Sequence, residues 1–159
     1  MLNNKEFDLW AESYDQSVDL SNENEKYPFA GYGKVLDKIY IDISYACYNT
    51  VLDIGFGTGR LAWRLYEKGC RIFGQDFSDK MIEISQRKMP CANLYRGDFT
   101  QGLVEDLKQY KYDAIIATYS LHHLKDENKV DFIKSLFPLL KDDGCIYIGD
   151  VAFDTREEL

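Results

Sequence analysis

The sequence predicts an α/β protein with a Rossmann-like, doubly wound and mostly parallel sheet, and three observations lead to this prediction. First, short apolar segments rich in β-branched residues alternate with segments of helical periodicity. Second, the first apolar segment ends in three alternating glycines, Gly55, Gly57 and Gly59, directly before a helical segment. Third, Asp76 and Asp98 follow the next two apolar segments. Right-handed strand–helix–strand units joined in this way are expected to give the strand order 3-2-1-4-5.

Each strand and helix is predicted from its own local pattern. Strands are predicted at 50–54, 70–75, 93–96, 112–118 and 145–151. Helices are predicted at 60–68, from the N-cap Ser78 to about Met89, at about 101–109, and at 126–140 with Pro138 disturbing the last turn. The buried face of the last helix is expected to consist of Val130, Ile133, Phe137 and Leu140. Residues 141–144 are expected to form a turn.

The 159 residues are expected to form a single domain with two parts. Residues 50–151 would form the α/β core, and residues 1–45 an N-terminal helical lid with helices at Lys5–Tyr14 and Phe29–Ile43. The segment 15–26 between these two helices is polar and acidic, which is typical of a mobile loop.

The formal net charge of −8 at pH 7 disfavours several kinds of partner. Nucleic acids and anionic membranes attract basic surfaces, so neither is an expected partner. A small neutral or cationic molecule is the expected ligand. The four cysteines include no C-x-x-C pair, which disfavours a zinc site and a disulfide framework. Because the sequence has neither an apolar N-terminal run nor a long apolar segment, the chain is expected to be cytoplasmic.

The glycine turn and the two acids predict a site for an adenosine-containing ligand. A dinucleotide fingerprint, G-x-G-x-x-G, needs glycine at position 60, where this chain has Arg60. Asp76 lies 21 residues after the first glycine, where a carboxylate can accept both hydroxyl protons of a ribose. Asp98 follows the third strand in the same way and can accept from an adenine amine. Phe77 and Phe99, each next to one acid, can enclose the flat base.

Four segments resemble the motifs of the class I S-adenosylmethionine-dependent methyltransferases, in that family's order. They are Asp53-Ile54-Gly55-Phe56-Gly57-Thr58-Gly59, Gln75-Asp76-Phe77-Ser78 with Met81, Gly97-Asp98-Phe99, and Tyr112-Asp113 through Thr118 to Leu124. The N-terminal segment Phe7–Asp15 is similar to the lid of small-molecule members of the family. The resemblance implies S-adenosylmethionine as the cofactor and a small molecule as the methyl acceptor.

The resemblance also implies which residues contact the methionine part of the cofactor. The backbone of Gly55 and Gly57 would line it, with Asp53 near its ammonium group. The backbone of Thr118 would meet the amino acid moiety, and Tyr14 would close over the site.

For the adenosine part, the resemblance implies two acids and three apolar side chains. Asp76 would hold the ribose hydroxyls and Asp98 the adenine amine. Phe77, Met81 and Phe99 would contact the faces of the base. No metal site is expected.

His122 and His123 are the only histidines and the only candidates for a catalytic group. A histidine at the end of the fourth strand could act as a general base on a hydroxyl or amine. The pair could instead pack against the following helix. Methyl transfer from a sulfonium depends mainly on proximity and desolvation, so the chemistry does not require such a base.

The sequence leaves three functions open. The first is methyl transfer to a small molecule, the second is a non-catalytic S-adenosylmethionine-binding module or a fragment that needs a partner, and the third is an NAD-dependent oxidoreductase. Folds of this family continue past the fifth strand with a helix and an antiparallel hairpin, which the sequence here does not show. We therefore expect the edge of the fifth strand to be exposed and available for a homodimer.

Overall fold

Five parallel strands form one sheet in the structure, a computed structural model that describes residues 15–19 and 31–151. The strands are β1 (Thr50–Ile54), β2 (Arg71–Asp76), β3 (Asn93–Arg96), β4 (Tyr112–Thr118) and β5 (Leu140–Gly149). They lie in the order β3-β2-β1-β4-β5, and every neighbouring pair is parallel. The predicted fold class and strand order are confirmed.

Within residues 31–151, five α-helices connect or flank the strands. They are α1 (Tyr32–Tyr45), α2 (Arg60–Glu67), α3 (Asp79–Lys88), α4 (Glu105–Lys108) and α5 (Asp126–Leu136). The predicted N-cap of α3 is confirmed, because the Ser78 hydroxyl accepts from the backbone N–H of Met81 at 3.2 Å. None of the helices in the described part of the chain is long and apolar enough to cross a membrane.

Alternating side chains of the strands supply a core on each face of the sheet. Val51 and Ile72 face the cluster that contains Leu36 of α1 and Leu65 of α2. The other face buries Leu52, Phe73 and Ile115 with Leu107 and Leu136 from α4 and α5. Burial of one such side chain contributes roughly 1.5–3 kcal/mol. Because helices cover both faces, the carboxyl ends of the strands are the expected place for a ligand in a sheet of this kind.

Two predicted boundaries near the C-terminal part of the core are wrong. Residues 141–144 are not a separate turn but belong to β5, whose Leu140 pairs with Tyr112 while Cys145 pairs with Ala114. The extra residues bulge out of the ladder, and the Lys141 ammonium holds them by donating to the Asp113 carboxylate at 2.9 Å. The strand therefore starts five residues earlier than the hydrophobic pattern predicts.

The buried face predicted for α5 is wrong in part, since Ile133 and Leu140 are partly buried against the core but the other two residues are not. Phe132 and Leu136 are buried, whereas Val130 and Phe137 are 57% and 56% exposed. Pro138 ends the α-helix at Leu136, and a 3₁₀ turn follows at Phe137–Leu139, which rotates Phe137 out of the buried stripe.

Two further helix predictions need correction. The helix predicted at 101–109 is reduced to α4, preceded by a 3₁₀ turn at Phe99–Gln101. Helix α1 starts three residues later than predicted, because Gly31 adopts a left-handed φ of 72° just before it.

The prediction of a mobile loop at 15–26 is wrong for residues 15–19, which are helical. The Thr58 hydroxyl donates to the Asp15 carboxylate at 2.6 Å, and Arg60 donates to Asp19 at 2.6 Å. These polar contacts hold the segment against the start of α2. Its acidic side chains Asp15 and Asp19 therefore bind other residues of the protein as well as water. Residues 20–26, the predicted helix Lys5–Tyr14 and most of the predicted lid lie outside the described residues.

Candidate functional site

The glycine turn between β1 and α2 has a backbone that other residues adopt only with strain. Gly55, Gly57 and Gly59 have φ angles of 70°, 55° and 73°. A Cβ at Gly55 would come within 2.7 Å of the Ser120 Cβ, so the turn and the end of β4 approach too closely for any side chain there. A Cβ at Gly57 would meet nothing within 4 Å. The absence of a side chain at Gly55 therefore allows the turn to pack against Ser120, and its absence at Gly57 leaves the space beside the backbone open.

Side chains of α3 hold this turn in place. The Ser85 hydroxyl, which is buried, donates to the carbonyl of Gly57 at 2.9 Å. The Lys88 ammonium donates to the carbonyl of Thr58 at 2.9 Å. Because these two carbonyls accept hydrogen bonds from side chains of α3, the turn is held in its conformation without a ligand.

Two acids lie at the carboxyl ends of neighbouring strands beside the turn. Asp76, at the end of β2, is buried and accepts from the backbone N–H of Gly57 at 2.9 Å and of Ser78 at 3.0 Å. Asp53 of β1 is 2% exposed, and its Oδ1 has no hydrogen-bond partner in the described part of the chain. A buried carboxylate oxygen without a donor is costly, and it marks the place where a ligand's donor would be stabilised.

A small cavity of about 50 Å³, partly open to solvent, lies at this edge of the sheet. Its lining combines the glycine turn with the ends of β2 and β4: Gly55, Gly57, Asp76, Phe77, Met81, Phe99, Tyr119, Ser120 and His123. Six of the ten residues predicted to bind the cofactor are therefore brought together around one cavity.

Comparison with known proteins agrees with this geometry. Residues 51–144, more than half of the chain, match the family described as a methyltransferase domain. The chain belongs to this methyltransferase family. This membership favours methyl transfer over the NAD-dependent alternative.

Related methyltransferases are similar along most of this chain. An uncharacterised methyltransferase of Anoxybacillus flavithermus is 34% identical over 151 residues, which are 95% of this chain and 68% of that protein. The crystal structure of a TehB-like SAM-dependent methyltransferase from Corynebacterium glutamicum has a TM-score of 0.65 at 19% identity and covers 87% of this chain and 71% of its own. The DhpI-SAM-HEP complex has a TM-score of 0.65 at 20% identity, over 95% of this chain and 65% of its own. This methyltransferase chain thus spans about two thirds of the length of its curated relative.

Three of the remaining predicted cofactor residues are not among the described residues that line the cavity. Asp53 lies behind the glycine turn, and Thr118 is half-buried at the last β4–β5 pair, opposite Gly149. Asp98 is exposed, and its Oδ1 accepts from both the backbone N–H and the hydroxyl of Thr100. Tyr14 lies outside the described residues. The structure does not bring Asp53, Thr118 and Asp98 to the cavity, and the roles of all four residues stay predictions.

The electrostatics of the site centre on Asp53. Burial, together with the nearby negative charge of Asp76, raises the pKa of its carboxyl group to about 8. The ligand-free methyltransferase therefore holds Asp53 largely protonated at pH 7. A cation placed beside it would reverse this preference, because an opposite charge stabilises the carboxylate.

A loop after β3 carries Phe99 to the cavity. Buried Gln75 positions that loop, since its side-chain amide donates to the carbonyl of Gly102 at 3.1 Å and its oxygen accepts from the Val104 N–H at 2.8 Å. Phe99 is almost fully buried and packs against Phe132, with ring centroids 5.8 Å apart. Phe99 is thus a core residue that also lines the cavity, whereas Phe77 is half-buried there.

The two candidate catalytic histidines have different surroundings. His123 lines the cavity, and burial lowers the pKa of its imidazole. His122 lies outside the lining, with its Nδ1 at 2.8 Å from the Asp150 carboxylate. Burial alone would raise the pKa of Asp150, but its hydrogen bonds with His122 and with backbone N–H groups outweigh burial and lower the pKa. Within residues 15–19 and 31–151, no group of three metal-binding side chains is placed to hold a metal ion.

Sequence reasoning missed Tyr119 and Ser120, which both line the cavity. Tyr119 follows β4 with a φ of 52°, a conformation unusual for a residue with a side chain, and its ring packs on Tyr32 of α1 at 4.7 Å. The Ser120 hydroxyl donates to the carbonyl of Ile54 at 2.9 Å. Their position directly after a strand next to β1 was the signal that could have found them.

Proposed function

We propose that this methyltransferase binds S-adenosylmethionine in the cavity beside the glycine turn and transfers its methyl group to a small molecule. The observation that carries the proposal is the pair of buried acids, Asp53 and Asp76, at the ends of adjacent strands. S-adenosylmethionine carries two matching features, an ammonium group on the methionine part and a ribose with two hydroxyls.

The described residues fit this cofactor at two points. The unpartnered Oδ1 of Asp53 lies outside the cavity lining and would accept from the ammonium group if the methionine part extends to β1. The open space at Gly57 would allow the methionine part to approach the backbone. Asp76 lines the cavity and would accept from the ribose hydroxyls. Phe77 and Met81 supply apolar contacts for the base. The printed name of the DhpI complex, which has the same fold, includes SAM and supports the choice of cofactor.

The bound cofactor supplies an electrophilic methyl group on a sulfonium. The protein has to bring an acceptor atom into line with that methyl and exclude water from the contact. The buried Phe99 and the half-buried Tyr119 border the cavity and would exclude water there. The net charge of −8 supports an acceptor that is neutral or cationic.

Detection of S-adenosylhomocysteine tests this proposal. The full chain would be incubated with S-adenosylmethionine and a panel containing a thiol, a phenol, an aliphatic alcohol and a primary amine. We expect product with at least one of these, and at least tenfold less with Asp76→Asn at a limiting cofactor concentration. Asp79→Asn is the matched control, because Asp79 is exposed in the first turn of α3 and pairs with Arg96 away from the lining. Tight cofactor binding without product from any acceptor class would favour the binding-module alternative.

A further inference from the structure

The turn after β4 places two adjacent histidines in different environments. His123 lines the cavity together with Asp76, Phe99 and Tyr119, and it is half-buried. The side chain of His122 is 42% exposed, and it does not line the cavity. His123 is therefore the member of the pair that borders the cavity, and its ring centroid lies 4.3 Å from that of His122.

The direction of the His123 ring is set by contacts on both sides of the 3₁₀ turn Leu121–His123. The Asp150 carboxylate accepts from the backbone N–H of His122 at 3.0 Å and lies 2.8 Å from its ring Nδ1. The backbone N–H of His123 donates to the carbonyl of Ser120 at 3.1 Å. Leu121, at the start of the turn, is buried in the core. With its neighbour held by Asp150, the turn directs the His123 side chain to the cavity.

We infer that His123 is the general base of the reaction and that the acceptor is a protic nucleophile, with an O–H, S–H or N–H group. This inference rests on the proposed function. The lone pair of the acceptor heteroatom forms the new bond to the methyl carbon, and the carbon–sulfur pair returns to sulfur to give S-adenosylhomocysteine. The proton of the acceptor goes to the imidazole of His123, which becomes an imidazolium and later loses that proton to water.

The charges around His123 favour this use of the ring. Burial lowers the pKa of His123, and the adjacent His122 lowers it further, while the carboxylates of Asp150 and Asp98 act in the opposite direction. The net direction is downward from 6.5, so the ring is neutral at pH 7 and able to accept a proton. A general base has to be neutral before methyl transfer so that it can accept the proton of the acceptor.

The first experiment measures the geometry without needing an acceptor. The imidazole pKa values of the full chain would be followed by NMR with S-adenosylhomocysteine and with S-adenosylmethionine bound, the two ligands differing in the transferable methyl and its positive charge. The chain has only two histidines, so His123→Gln leaves one signal and assigns both. If His123 faces the methyl, its protonation constant should be at least roughly threefold lower with S-adenosylmethionine, and that of His122 should change less. Equal values for His123 in the two complexes would overturn the inference.

The second experiment follows the reaction with whichever of the four acceptors is turned over. The wild-type rate should fall as the pH drops through the lowered pKa of His123, because the imidazolium cannot accept a proton. His123→Gln should reduce kcat at least tenfold and remove this acidic limb, with S-adenosylhomocysteine binding within twofold of wild type. Glu127→Gln, an exposed change in the first turn of α5, is the control. An unchanged kcat and pH profile in His123→Gln would refute the role of this residue.

Calorimetry on the same samples separates the two proposals. A chain that binds neither S-adenosylmethionine nor S-adenosylhomocysteine would overturn the proposed function and this inference with it. A chain that binds both, with the same His123 pKa in each complex, would overturn the inference alone.

Discussion

Binding of S-adenosylhomocysteine at pH 7 is expected to release close to one proton from Asp53. With a pKa of about 8, roughly nine in ten of these carboxyl groups are protonated at pH 7 in the ligand-free protein. If the ligand's ammonium group binds beside the unpartnered Oδ1, as proposed, its opposite charge should lower the pKa of Asp53 well below 7. The binding enthalpy should therefore depend on the ionisation enthalpy of the buffer.

Calorimetric titrations in phosphate and in Tris at the same pH measure this release, because the buffer takes up the proton. The slope of observed enthalpy against buffer ionisation enthalpy should correspond to about 0.9 proton at pH 7 and should decrease above pH 8. Asp53→Asn should remove the slope and weaken binding, while Asp79→Asn should keep both. A wild-type slope of zero at pH 7 would contradict the assignment of Asp53 to the ammonium group.

Three further predictions concern stability, the turn and assembly. Folding raises the pKa of Asp53 from 3.8 to about 8, so the unfolding free energy of the ligand-free protein should fall as the pH rises from about 4 to 8, by at most on the order of 5 kcal/mol. Urea denaturation of wild type and Asp53→Asn checks the sign of this pH dependence. Gly57→Ala and the control Gly69→Ala both place a methyl group in open space at a residue with positive φ, and each should lose about 1 kcal/mol of stability. Only Gly57→Ala should lose tenfold or more in affinity for S-adenosylhomocysteine, and equal affinities of the two variants would contradict the role of the turn. We also expect a homodimer through the outer edge of β5, because no other strand of the described residues pairs with that edge. Light scattering should show a dimer, and Ile148→Lys should dissociate it, since the Ile148 side chain is 48% exposed.

The strand order and the glycine turn could be predicted from the sequence because both are encoded locally. The run at 50–54 is apolar, and the glycines that follow it are the residues that adopt positive φ without strain. Asp76 could be placed for the same reason, since the carboxyl ends of parallel strands meet at one edge of the sheet.

Features that depend on distant contacts could not be predicted in this way. At the start of β5, Lys141 donates to Asp113 of β4, a contact between residues that are 28 positions apart in the sequence. The buried side of α5 is set by Phe132, whose ring contacts Phe99 from a loop far away in sequence. The helical segment 15–19 is likewise held by residues of the glycine turn and α2.

The most direct test of the account is a calorimetric titration of the full chain with S-adenosylmethionine, S-adenosylhomocysteine and NAD. We expect saturable binding of S-adenosylmethionine and S-adenosylhomocysteine and no binding of NAD. Asp76→Ala should lose at least tenfold in affinity for both of these ligands while circular dichroism shows that the fold is retained. Preferential binding of NAD, or Asp76→Ala binding S-adenosylhomocysteine as tightly as wild type, would contradict the assignment of this cavity to the cofactor.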